Sequence, residues 1–248
     1  MKVPLKQKAY EYVLDKIMSG SLQPGARLSE VAMAKEIGIS PTPLREAYRQ
    51  LASEGFVKYI PNSGIFVRDI STSETKELYE TREAIESFCT GMAAMKMNRI
   101  DTAELKDSLN TMLETARELR DSGGKLFGPE QEIKYMKSDA RFHLLILKSA
   151  DNSIMLRTMR ECHVLGRLLG FKSHKHSLRQ VARTLLHHYR IYKSIKDHDS
   201  ARAESAMRNH IKFSRESAIA NNTEEPRKTE EGRCSEELRN FIHNIEKE

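Results

Sequence analysis

Residues 27–67, RLSEVAMAKEIGISPTPLREAYRQLASEGFVKYIPNSGIFV, spell a short helix, a tight turn, a second helix and a small hairpin, in that order. Ser29 is a side chain of the type that accepts a hydrogen bond from the first free amides of a helix. Val31, Ala32, Ala34 and Ile37 follow near helical spacing until Gly38 ends the run. Ile39 and Ser40 make the turn. Pro41 and Pro43 open the second helix, where proline forfeits no amide bond because the first turn has no partner to offer. Leu44, Ala47, Tyr48 and Leu51 form its inward stripe. Arg45 and Arg49 stand one turn apart on another face that begins near Thr42, so two cations and a hydroxyl project together. Such a face fits a DNA major groove. After Gly55, residues 56–60 and 64–68 read as two strands around Pro61-Asn62-Ser63, the composition of a hairpin wing.

With a helix from Lys6 to Ser19 ahead of it, this order resembles the winged helix-turn-helix domain of the GntR family of transcription regulators. The resemblance is carried by Pro24-Gly25, Leu28-Ser29-Glu30, Ala34, Ser40, Thr42-Pro43-Leu44-Arg45-Glu46-Ala47, Leu51, Glu54-Gly55 and Gly64. It implies contacts to a double-stranded DNA operator from Ser40, Thr42, Arg45, Arg49 and the wing around Gly64. Pro41 is a departure, since many members carry an arginine there. One small reading head contacts few base pairs, so a homodimer on a two-fold related operator is expected.

The bulk composition agrees with a mainly helical protein. In 248 residues there are 12 Gly, 7 Pro and no Trp, with long stretches of Ala, Leu, Met, Glu, Lys and Arg. The net charge of +6 and pI near 9.1 fit a polyanionic partner without requiring one. Cys89, Cys162 and Cys234 are far apart and unpaired in spacing, which argues against a disulfide framework or a thiolate zinc site and suits a reducing cytoplasm. No run approaches the roughly 18 apolar residues of a membrane span. The polar junction Ile70-Ser71-Thr72-Ser73 divides a DNA-binding domain, 1–70, from a helical domain, 71–220. Six helices are expected in the latter, over 73–96, 101–121, 129–149, 152–170, 177–197 and 199–220, as an antiparallel bundle. The last segment, 221–248, reads as a polar, mobile tail.

Four polar residues interrupt apolar stripes in this bundle. Asp139 and His143 fall on the line Ile133, Met136, Ala140, Ile146, Leu147; His188 falls among Val181, Leu185, Ile191, Tyr192 and Ile195; His210 falls among Ala203, Ala206, Met207 and Phe213. Burying all four without a shared partner is costly, and a divalent cation satisfies them together. Imidazole and carboxylate suit Zn, Ni, Mn or Fe.

The pattern Asp139, Phe142-His143 and Asn152, then His188, then Met207-Arg208-Asn209-His210, resembles the metal-binding form of the FCD or FadR-type ligand domain that accompanies one branch of the GntR family. His187 departs from it, since many members carry a glutamate there. The resemblance implies a pocket for a small carboxylic acid effector above the metal, with Arg82 holding the carboxylate. The plain alternative for Arg82 is a surface salt bridge to Glu86. Two rival functions are a metal-dependent hydrolase with a DNA-binding appendage, because three histidines and a carboxylate can also activate water, and a regulator whose metal is purely structural.

Overall fold

The computed structural model describes residues 4–18, 21–124, 126–159, 162 and 177–222. The expected tail beyond Asn222, residues 160, 161 and 163–170 of the expected fourth bundle helix, and His163, His174, His176 and Cys234 lie outside these described residues. Among the described residues, those up to Leu78 together with Thr158, Met159 and Cys162 form one compact unit, and the remainder form a second.

In the first unit the order is α1 (Leu5–Met18), β1 (Arg27–Leu28), α2 (Glu30–Ile37), α3 (Pro41–Ser53), β2 (Val57–Ile60) and β3 (Gly64–Val67). Helix α2 starts and stops by side-chain and backbone capping. The Ser29 hydroxyl accepts from the Ala32 amide, and Gly38 takes φ 74°, a left-handed conformation that costs glycine least. Met33, Ala34 and Ile37 are its buried residues, whereas Val31 is 76% exposed. Val31 and Ala32 were expected on the buried stripe, but the helical turn carries them to the other side. Helix α3 begins with Pro41 in its first turn, and Leu44, Ala47, Tyr48 and Leu51 are all buried. They pack with α1, whose Ala9, Val13 and Ile17 are also buried.

The sheet is antiparallel with strand order β1-β3-β2. Asn62, at φ 60°, turns the β2–β3 hairpin with the Ser63 amide bonded to the Ile60 carbonyl at 3.0 Å. Strand β1 was not expected, because two residues carry no readable alternation.

The second unit is helical. Helix α4 (Thr72–Lys96) enters it from Tyr79 onward, followed by α5 (Arg99–Asp121), α6 (Pro129–Ser149), α7, described over 153–159 and belonging to this unit up to Arg157, α8 (Leu178–Lys196) and α9 (Ser200–Asn222). Capping boxes start α5 at Asn98 with Asp101 and α8 at Ser177 with Gln180. Asn152, part of the motif read from the sequence, accepts from the amides of Ile154 and Met155 and so starts α7. Helix α5 packs on α6 and α8, and α8 on α9. Helix α6 turns Tyr135, Phe142, His143, Ile146 and Leu147 inward. Ile133, expected on that line, lies off it and is 53% exposed.

Candidate functional site

Among the described residues there are two candidate sites, one in each unit. On the first, Ser40, Thr42, Arg45, Arg49 and Gly64 are all exposed. Ser40 caps α3 by position yet makes no side-chain capping bond. Arg45 Nε donates to Glu30 Oε2 at 2.7 Å, and both side chains are open to solvent, at 60% and 29% exposure. Gly64 sits at φ 110°, and the guanidinium of Arg27 lies beside it, 3.5 Å from where a Cβ would stand. Arg27 was not singled out in the sequence, since its place beside the wing follows from the β1–β3 pairing.

In the second unit, α6, α8 and α9 bring three histidines to one point. His143, His188 and His210 are 1%, 0% and 2% exposed, and each offers one ring nitrogen within 4.8 Å of the others. Phe142 stands edge-on to His188, with ring centroids 4.7 Å apart, and walls the cluster with apolar carbon.

The hydrogen bonds assign the ring nitrogens. His188 Nδ1 lies 2.9 Å from the Thr184 carbonyl oxygen, which only accepts, so Nδ1 carries the hydrogen and Nε2 presents a lone pair. His143 Nδ1 faces Glu86 Oε2, a carboxylate oxygen, and by the same reasoning donates to it. The two Nε2 atoms then face each other at 3.3 Å, with Asp139 Oδ1 also 3.3 Å from Nε2 of His188. In the neutral imidazoles these are electron-pair donors with no hydrogen between them. His210 Nδ1 is buried and has no hydrogen-bond partner among the described residues. Such a centre is satisfied by an added positive charge.

The acid–base balance points the same way. Burial works against charge on His143, but the neighbouring Glu86 carboxylate outweighs it and holds the pKa above the usual imidazole value. Burial tends to raise the Asp139 carboxyl, yet the contact with His188 and the nearby positive charge, Arg82 included, hold it well below the usual carboxylate range. Burial, with His188 and His143 nearby, pushes His210 far below the imidazole range, so this ring stays neutral. This need for positive charge fits a divalent cation: on ligating it, His143 would give up any second proton, Asp139 is ionised, and His210 offers a buried nitrogen with no hydrogen-bond partner among the described residues.

Asp139 differs from the histidines. It lies on the inward line of α6 but its side chain is 35% exposed, and it touches the cluster through His188 rather than belonging to the three-nitrogen group. Arg82 and Glu86 form the ion pair read as the plain alternative, with Nε to Oε1 at 2.7 Å. It is not at the surface, since the side chains are 12% and 1% exposed. Glu86 was missed as a neighbour of the histidines, because 57 residues separate it from His143. His187 sits off the cluster, stacked on Phe213 at 5.1 Å, and burial followed by the nearby Arg190 lowers its pKa to about 4.

Comparison with known proteins matches residues 5–67 to the bacterial regulatory proteins of the gntR family and residues 77–213 to the FCD domain. The Nta operon transcriptional regulator of Aminobacter aminovorans is 32% identical over 143 residues, 58% of this chain and 62% of that protein, so the match spans under two thirds of the relative's length. The HTH-type transcriptional regulator LutR of Bacillus subtilis is 27% identical over 224 residues, 79% of this chain and 92% of its own. The solved structure of E. coli McbR/YncC superposes with a TM-score of 0.69 at 18% identity, covering 90% of this chain and 100% of that one, which establishes a shared fold. No helix among the described residues is long and apolar enough to cross a membrane.

Proposed function

The chain belongs to the GntR family of bacterial regulatory proteins and carries an FCD domain, which makes it a transcription regulator, and from that premise we propose that a metal-held carboxylic acid controls its grip on DNA. The head, residues 1–70, reads a two-fold related operator as one half of a homodimer acting in the cytoplasm. The bundle, residues 71–220, carries the sensor. It is not an enzyme on this reading.

At the head, Arg45 and Arg49 meet phosphates and guanine edges, with the hydroxyls of Ser40 and Thr42 bonding near the start of α3. The wing follows the adjacent groove at Gly64, where Arg27 adds a cation. The Glu30 carboxylate engages Arg45 at Nε in an exposed contact that a nucleic-acid acceptor can replace.

In the bundle, His143, His188 and His210 hold a divalent cation with Asp139. The observation that carries this reading is the pair of facing Nε2 atoms 3.3 Å apart, each of which is a lone-pair donor in the neutral ring because the ring's hydrogen is engaged at its own Nδ1. Zn, Ni, Mn and Fe all accept this ligand set. A bound cation supplies a Lewis-acidic position for a carboxylate oxygen. Asp139, as the partly exposed member, marks the side from which a small acid enters, and Arg82 supplies a guanidinium for it.

The test is an operator titration at fixed salt, with and without Zn2+ and short-chain carboxylic acids. Arg45→Ala is expected to weaken operator binding by about 1–3 kcal/mol, and an acid that acts only on the Zn2+-loaded protein is the expected effector class. Unaltered operator affinity in Arg45→Ala removes the head assignment, and indifference to every metal and acid combination removes the sensor.

A further inference from the structure

Glu86 has no part in the ligand set, yet it is the most deeply placed charge beside it, with a side chain 1% exposed. Its two oxygens are divided. Oε1 accepts from Arg82 Nε at 2.7 Å one helical turn away on α4, and Oε2 accepts from Nδ1 of His143 on α6. A dry carboxylate is retained only when both oxygens have donors, and here the donors come from two groups with separate tasks. The bond at Nδ1 fixes the His143 ring so that Nε2 faces His188. The bond at Nε fixes one edge of Arg82, whose guanidinium carbon lies 5.2 Å from the centroid of the Tyr79 ring.

We propose that Glu86 is a shared positioning residue, a single carboxylate that sets both the metal-facing nitrogen of His143 and the guanidinium of Arg82 and so couples the cation to the anion-binding side chain. This rests on the metal reading above. An amide cannot replace the carboxylate, because it offers one accepting oxygen and one NH2, whereas both neighbours are donors. A change at Arg82 is then felt at the cation through Glu86, and the reverse holds by linkage.

The test is Zn2+ affinity, measured by competition with a chromophoric chelator, for the wild-type chain, Glu86→Gln, Arg82→Met and the double variant. Glu86→Gln is expected to weaken Zn2+ binding by about 10–100-fold. The fold-change produced by Arg82→Met is expected to differ about fivefold or more between the wild-type and E86Q backgrounds, as for residues in one network. Melting adds a readout that a merely structural pair leaves unmoved: the Zn2+-dependent rise in Tm shrinks, beyond any equal lowering of the chelated and loaded proteins. If Glu86→Gln does not fold, Glu86→Asp keeps the charge and shortens the reach, and a roughly threefold or larger loss of affinity is expected from it. Wild-type affinity in a folded Glu86 variant, or effects of the two substitutions that simply multiply, overturns the proposal while leaving the metal site standing. A wild-type chain that does not bind Zn2+ overturns the metal reading, and this inference with it.

Discussion

Two arginine–glutamate pairs in this molecule have the same length and opposite surroundings. Arg45 and Glu30, on the reading head, meet at 2.7 Å with 60% and 29% of their side chains exposed; Arg82 and Glu86, in the bundle, meet at 2.7 Å with 12% and 1% exposed. The first pair is in high dielectric, where water replaces either partner at little cost, so Arg45 can exchange Glu30 for a phosphate or a base edge. The second is taken out of water. Neither partner can leave without stranding a charge, so the pair stays in place and organises what surrounds it. The geometry of a salt bridge therefore says little about its task; exposure decides whether it is a pair waiting to be exchanged or a fixed piece of a site.

The contrast is broken most easily by removing the glutamates. Glu86→Ala is expected to lower the stability of chelated protein by about 3–5 kcal/mol, since it strands Arg82 and leaves His143 Nδ1 unpaired. Glu30→Ala is expected to change it by no more than about 1 kcal/mol. Urea unfolding of both variants at one pH checks this, and similar small losses in both would erase the distinction. Arg45→Ala sharpens it further: loss of operator affinity with stability unchanged to within about 0.5 kcal/mol is the mark of a surface group selected for a partner.

A smaller effect is expected at a third acidic residue, Glu74, near the start of α4. The Ser71 amide and hydroxyl donate to its carboxylate at 3.0 and 2.9 Å, and these bonds, with Arg68, hold its pKa below the usual value. A depressed folded pKa means the group stabilises the fold above its unfolded pKa of about 4.3, and that this contribution is lost as pH falls through the folded value. The stability difference between wild type and Glu74→Gln should accordingly shrink between about pH 6 and about pH 3, and a difference that is constant with pH would contradict the assignment.

How much of this was legible in the sequence depended on whether the determining contacts are local. The α3 stripe, the Ser29 cap and the Gly38 stop are set within a few residues, and the helix period places them. His188 was legible for the same reason, lying in line with Val181, Leu185 and Ile195, all buried. Val31 and Ile133 misled because an apolar residue near the right spacing was counted with the stripe, although their true angular positions leave them 76% and 53% exposed. The divided bonding of Glu86 was not legible at all. Its pairing with Arg82 is an ordinary i, i+4 spacing that reads as a surface feature, and what makes it part of the site is a contact to a helix 57 residues away. The depth of the pair is tertiary information.

The central claim is that the three buried histidines hold a cation, and calorimetric titration of Zn2+ into chelated protein, with His143→Ala and His210→Ala alongside, tests it most directly. The account predicts one site per chain in the wild type, with Zn2+ at 100 times its Kd stabilising the fold by about 2.7 kcal/mol, and loss of most of that gain in either variant. Wild-type protein that neither binds nor is stabilised by Zn2+, Ni2+, Mn2+ or Fe2+, or histidine variants that bind as tightly as the parent, would contradict it.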